Sequence, residues 1–440
     1  MAYSGNNAMP TEYASKLGHL PIVKDEFVSK LIKDFESFSL EDETTNILRC
    51  ENFVTEKETS ISSIISVDGS CSHIVNPIIN KKSVSFIKVA TLMISLQQLQ
   101  KAQATIVDPT LISEIISKYA DTISTVLPLN NVRIKELTPL ETIRKVINAT
   151  LKEKNAMLYD TLKFLVFRQW DPHSIPTTEF GCPVCNKTNI INGEFDEFNC
   201  NNNKCKSKVY LSDYISLHKQ FDEEYTNESL AMSFMQVIEH LLFMSYLRIL
   251  YQEKKNRLSQ ILLMKDGPLA LHAQYSRLVN PIRDFIQHLK DSDIKAYIVG
   301  IEKSGPFFDH AEILSKRLKQ AGAFLIPDNK YIFSHIKHGN SNTTSYGERV
   351  LYGSKLFVKI DNNNVVVATI PTGNYCENPK INDLYGLEDI VNMLLKLKSK
   401  QYANALLPIV AVNKLASMSV YPTNNILQKF FEKNISSETV

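Results

Sequence analysis

Ser63-Ile-Ile-Ser-Val-Asp-Gly-Ser70 is a β-branched run that closes on a turn dipeptide, and it reads as a buried strand stopping at Asp68-Gly69. Gln260-Ile-Leu-Leu-Met-Lys-Asp-Gly-Pro268 repeats the pattern almost two hundred positions later: an apolar strand that ends in Asp-Gly. Between them, Ser83 to Leu96 is rich in β-formers, with Asn80-Lys81-Lys82 as a hairpin turn before it. From Gln97 to Arg168 the spacing becomes helical, most clearly in Leu111 to Ile123 and Leu140 to Leu151. A long helix is expected from Ser229 to Lys255, through Met235, Ile238, Leu242, Tyr246 and Ile249. Further strands are expected at Lys295 to Gly300, Ser354 to Ile360 and Val365 to Ile370. Further helices are expected at Asp25 to Phe38, Pro281 to Lys290, His310 to Gln320 and Gly386 to Lys398. Strands first, then strands mixed with helices, predict an α/β fold with a mixed sheet.

The chain has 440 residues and is 44% hydrophobic, enough apolar mass for a substantial core. Its 49 basic and 47 acidic residues nearly cancel, so contact with nucleic acid would need a local basic surface. Apolar runs such as Ala405 to Val412 fall short of the ~20 residues that span a bilayer, and no membrane association is expected. The polar start, Met1 to Pro10, carries no secretory apolar stretch, which predicts a reducing, cytoplasmic location.

Four of the seven cysteines cluster as Cys182-x2-Cys185-x14-Cys200-x4-Cys205. In a reducing compartment this spacing predicts a metal site, two short turns presenting four thiolates to a structural Zn²⁺. With every position filled by sulfur, no coordination site is left for water, so catalysis is not expected there.

The two Asp-Gly pairs admit two readings. They are ordinary turns, or they set Asp68 and Asp266 at one edge of the sheet, where neighbouring carboxylates can bind Mg²⁺ or Mn²⁺. Two such ions ~4 Å apart would serve phosphodiester hydrolysis. Glu239, flanked by apolar residues in Met235-Gln-Val-Ile-Glu-His-Leu-Leu-Phe243, is either a third ligand or a residue of the helix's wet face. Glu253, among Lys254, Lys255 and Arg257, reads as solvated. Lys303, in Val299-Gly-Ile-Glu-Lys-Ser-Gly305, stands where an ammonium could neutralise a phosphate, although Glu302 beside it could form an ordinary surface pair.

In chain order, Val67-Asp-Gly-Ser70, Ile238-Glu-His-Leu241, Lys265-Asp-Gly-Pro-Leu269, Val299-Gly-Ile-Glu-Lys-Ser-Gly305, Tyr346-Gly347, Tyr352-Gly353 and Tyr421-Pro422 resemble the NurA nucleases, from about Ser63 to Leu427. The resemblance implies an RNase H-like mixed sheet flanked by helices and a metal-dependent DNA nuclease. Asp68, Glu239 and Asp266 would be the Mn²⁺ or Mg²⁺ ligands, with Lys303 beside them. It also implies a homodimer, DNA as substrate, a HerA-type hexameric ATPase as partner, and a role in DNA end resection and repair or in anti-phage defence. On this reading residues 1–60 are an N-terminal charged region, 61–100 and 211–440 the two halves of the nuclease core, 101–178 a helical insertion and 179–210 the zinc ribbon. One departure stands out. The family often places a histidine shortly after the terminal Tyr-Pro, and here no histidine follows His338, which leaves Asn424, Glu432 or water for that place. The alternative is a weak or inactive zinc-ribbon module that binds DNA or a partner on the same fold.

Overall fold

The computed structural model describes residues 20–35, 52–54, 57–76, 82–102, 118–170, 174–194, 196–337, 345–399, 402–418 and 420–436. The chain divides into two compact units, Met1–Cys50 and Glu51–Val440. In the first, the side chain of Asp25 caps the helix Glu26–Asp34 by accepting from the amides of Phe27 and Val28.

The second unit is built on a nine-stranded mixed sheet. Its strands are β1 (Asn52–Phe53), β2 (Ser63–Asn76), β3 (Lys82–Ser95), β4 (Ala120–Asn130), β9 (Ile261–Asp266), β10 (Tyr297–Glu302), β11 (Ala323–Leu325), β12 (Ser354–Lys359) and β13 (Val365–Ile370). Two hairpins outside the sheet supply β5 (Thr177–Gly181) with β6 (Thr188–Asn192), and β7 (Glu197–Asn199) with β8 (Lys208–Tyr210). The order across the sheet is β1-β11-β12-β13-β10-β9-β2-β3-β4. In the half from β4 to β10, β2 is antiparallel to β3, and β3 to β4, while β9 and β10 run parallel to β2. Counted along the chain, those five strands lie in the order three-two-one-four-five, which is the RNase H-like arrangement.

Two expectations need correction. Strand β2 does not stop at Asp68-Gly69. It runs on to Asn76, with Gly69 opposite Val89, because β3 supplies ladder partners along its whole length. The stretch expected to be helical from Gln97 to Arg168 contains strand β4. There Ile123, Leu127 and Leu129 are buried while Thr122 and Ser124 meet solvent or its margin, as suits an edge strand with one packed face. Leu111 to Ser117 lie outside the described residues, as do Asn80 and Lys81 of the expected turn. Leu140 to Leu151 is helical as expected, over Pro139–Ala149 and a following π-helical turn, with Thr138 and Glu141 forming a capping box.

The helix Glu228–Glu253 is apolar on all sides and accordingly buried. By length and composition it could cross a bilayer, yet 78% of its apolar window is covered by the rest of the protein. It packs across β2 and β3 on one face of the sheet, and Leu407–Ala416 covers the other face of the same strands.

Candidate active site and metal centre

Strand β9 pairs with β2 only as far as Lys265 opposite Val67. From Asp68 onward β2 therefore has no neighbour on that side, and the sheet opens into a notch. Asp68, Glu239 and Asp266 all line the cavity there, of about 480 Å³. Asp68 projects from mid-strand and Asp266 from the last residue of β9, just before Gly267 turns the chain at φ +90°. Glu239 approaches from the long helix. It lies on the buried side, 3% exposed, so it is no wet-face residue.

Gly69 makes this approach possible. A Cβ there would stand 2.6 Å from Oε1 of Glu239 and 3.0 Å from the side chain of Met235. The glycine of this Asp-Gly pair thus clears space for a carboxylate instead of making a turn. Gly69→Ala is expected to lower activity about 100-fold, the scale of a misplacement near 1 Å at a reacting centre. A variant as active as the parent would make the placement of Glu239 immaterial.

Each carboxylate has a distinct set of neighbours. Asp68 accepts from the amide of Gly69 at 2.8 Å and from Nδ2 of Asn413 at 2.8 Å. Glu239 pairs with the buried Nζ of Lys265 at 2.7 Å, and Asp266 with Nζ of Lys303 at 2.5 Å. The lysine expected from sequence does reach the cluster, at Asp266. Glu302 is not a surface group: it pairs with Lys355, whose side chain is buried. Lys254, Lys255 and Arg257, and likewise Lys316, Arg317 and Lys319, are absent from the cavity wall, where Lys265, Lys337 and Lys355 stand instead.

Asn413 was not singled out from sequence, and Lys265 and Tyr352 stood in the quoted motifs without a role. Ser66, Asp68 and Ser70 alternate onto one face of β2. Ser66 donates to the carbonyl of Pro408 at 3.3 Å and Ser70 to that of Ala416 at 2.5 Å. The helix carrying Asn413 is thereby held at both ends. Asn424 does not reach Asp68; it accepts from Ser72, two positions beyond Ser70, at 2.6 Å. Glu432 accepts from Gln428 within its own helix. Tyr352 is buried with its hydroxyl 2.6 Å from Nδ1 of His240, pinning the helix one residue after Glu239. A lysine inside an otherwise apolar strand was the one available signal for Lys265.

Burial first, and then the charges of Asp266 and Glu239, push the Asp68 carboxyl up from 3.8 to about 7. Burial likewise raises Glu239, against the pull of Lys265. A carboxyl whose pKa is raised in the fold holds its proton more tightly folded than unfolded. Its cost to stability is absent near pH 4 and grows until about pH 7. In the presence of EDTA, Asp68→Asn should therefore melt several degrees above the parent at about pH 8 and level with it at about pH 4. Equal differences at both pH values would remove the like-charge explanation.

Three clustered carboxylates with incomplete compensation suit a hard divalent cation in donor chemistry. Their oxygens are not drawn as close together as the four thiols. Among the described residues, only the cysteine set brings at least three candidate ligand atoms within 4.8 Å of one another. Lys265 and Lys303 each hold one carboxylate oxygen.

That second site is formed by the two hairpins, each ending in a Cys-bearing knuckle. Cys182 and Cys185 follow β5, and Cys200 and Cys205 follow β7. The amides of Val184 and Asn202 point at the sulfurs of Cys182 and Cys200, each at 3.4 Å. Cys182 and Cys205 are 3.8 Å apart and Cys185 and Cys200 3.6 Å, close to the ~3.8 Å edge of a tetrahedron with ~2.3 Å metal–sulfur bonds. Backbone donation, led by the Lys187 amide, lowers the Cys185 thiol to about 6, while burial raises Cys200 to about 11. This four-cysteine cluster could bind zinc.

No protein-family model matches the chain, and no curated relative matches it. Solved structures resemble it, two of them NurA proteins. One is the crystal structure of the NurA nuclease from Sulfolobus solfataricus, 10% identical with a TM-score of 0.37, covering 96% of each chain. The other is a crystal structure of NurA, 11% identical with a TM-score of 0.30, covering 95% of this chain and 98% of that one. The chain is similar to them over nearly its whole length. The chemistry of the site is read from this chain's own residues.

Proposed function

We propose that the protein is a metal-dependent DNA nuclease that hydrolyses phosphodiester bonds. The observation supporting this is the convergence of Asp68, Glu239 and Asp266, from two strands and a helix, on one cavity that a glycine has cleared for the glutamate. Asp68, Glu239 and Asp266 would hold Mn²⁺ or Mg²⁺, which supplies activation of water and neutralisation of phosphate charge. Asn413 fixes the rotamer of Asp68. Lys265 holds Glu239 against its two carboxylate neighbours, and Lys303 places a positive charge beside Asp266, where a phosphate oxygen gains negative charge. The four cysteines would hold a structural Zn²⁺.

A near-neutral chain gains from a motor that grips DNA for it. In keeping with the resemblance to the NurA nucleases, the proposed nuclease works as a dimer on DNA fed by a HerA-type hexameric ATPase, in end resection or anti-phage defence, within the cytoplasm. The test is loss of label from end-labelled linear duplex DNA in Mn²⁺, with and without that ATPase. Metal-dependent loss supports the reading. A folded, zinc-loaded protein that never cuts would favour instead a binding module on the same fold.

A further inference from the structure

Strand β12 buries two lysines four residues apart, and therefore on one face. Lys359 donates to the carbonyls of Ser315 at 2.7 Å and Leu318 at 2.6 Å, where the helix Pro306–Ser315 ends. That is a cap, and it accounts for the residue. Lys355 has no comparable use. Its side chain is 3% exposed, its ammonium pairs with Glu302, and it lies 5.0 Å from the ring centre of Phe307. It lines the same cavity as the three carboxylates.

Burying an ammonium costs several kcal/mol even when it is paired, and apolar replacements of buried pairs are often as stable or more so. Stability is thus a poor reason for a lysine at this place. Burial lowers its pKa, and Glu302 opposes that shift. Glu302 and Phe307 line the cavity as well, together with Tyr346 and the exposed Lys337. The cavity is therefore lined both by carboxylates, from β2, β9 and the long helix, and by lysines and aromatic rings.

We propose that Lys355 is a phosphate-binding residue. It exchanges Glu302 for a non-bridging oxygen of a nucleic-acid phosphodiester and so seats the strand against the carboxylates. The proposal deepens the nuclease reading by naming the cation that binds the substrate, and its test does not depend on cleavage.

The experiment is fluorescence anisotropy of a short fluorescein-labelled single-stranded DNA with the full chain in EDTA. Lys355→Met should raise Kd about tenfold and lower the slope of log Kd against log salt by ~0.7, one single-strand phosphate contact. Lys355→Arg should recover part of the loss. Glu302→Gln keeps the lysine and removes its competitor, so it should bind several-fold tighter than the parent. Parental Kd and salt slope in Lys355→Met would overturn the proposal. So would weaker binding in Glu302→Gln, which would mark the pair as structural, and so would a parent that binds no DNA. Cleavage in Mn²⁺ on the same preparations separates the two ideas. Lys355-dependent binding without cutting sinks the nuclease reading and leaves the phosphate site standing. Cutting that ignores Lys355 sinks the phosphate site alone.

Discussion

Asp68→Ala and Asp266→Ala should each reduce metal-dependent cleavage of linear DNA by about 10³-fold or more, the scale of removing one preorganised charge-stabilising group. Neither should lower the melting temperature. Asp68 is buried beside two further carboxylates, and its own carboxyl is pushed up to about 7, so the metal-free fold gains from losing that charge. Asp266→Ala leaves Lys303 without its partner, at an ammonium that is one-third exposed and so solvated in part. Added Mn²⁺ should raise the melting temperature of the parent and leave both variants where they were. Parental cutting by both variants would show that the notch between β2 and β9 is not the catalytic site. Cleavage lost together with tens of degrees of stability would show that the carboxylates hold the fold and need not touch substrate.

Cys182→Ser should lose one equivalent of zinc per chain and destabilise the protein by several kcal/mol, since binding by a structural site is also folding energy. The damage should reach past the ribbon. Phe180, Cys182, Cys200 and Val209 belong to the same buried cluster as Leu162 and Phe164 of one helix and Phe243 of the long helix. Arg144 makes a buried two-pronged pair with Asp213, at 2.9 and 2.6 Å, and also donates to the carbonyl of Lys208 in the second hairpin. Ile298 of β10 belongs to that cluster too, whereas the buried apolar residues of β12 and β13 lie in other clusters and should persist, with native protection of their amides in hydrogen exchange. A parent protein without zinc by metal analysis would remove the site. A variant with unchanged stability would mean that the packing, not the metal, holds the hairpins.

The cysteine cluster was the most legible feature because its chemistry is local. Two knuckles, each only a few residues long, are specified by spacing, glycine, proline and asparagine. The long buried helix and strands β9, β10, β12 and β13 were legible for a related reason. Central strands are buried on both faces, and an unbroken apolar run between turn signals has few other places to go. Strand β4 was misread because an edge strand buries one face only. Its alternation is diluted by Thr125 on the packed face and by Val126 on the exposed one, and Pro128 is tolerated there because no further strand among the described residues needs its amide.

Sequence by itself marked Asp68, Glu239, Asp266, Lys303 and the four cysteines as candidates. Glu239 stands in an apolar stretch where a carboxylate is costly to bury, and the cysteines stand at a spacing that two short turns can fold onto one point, so both signals are visible along one dimension. Only the tertiary structure decided how they combine. It showed that Gly69 is a gap for Glu239 and not a turn. It showed that Asn413, more than three hundred positions away, holds Asp68, and that Lys355 lines the same cavity as the carboxylates. These relations depend on where β9 ends beside β2 and on which helix covers which face, and strand order is set by long-range packing that no local pattern encodes.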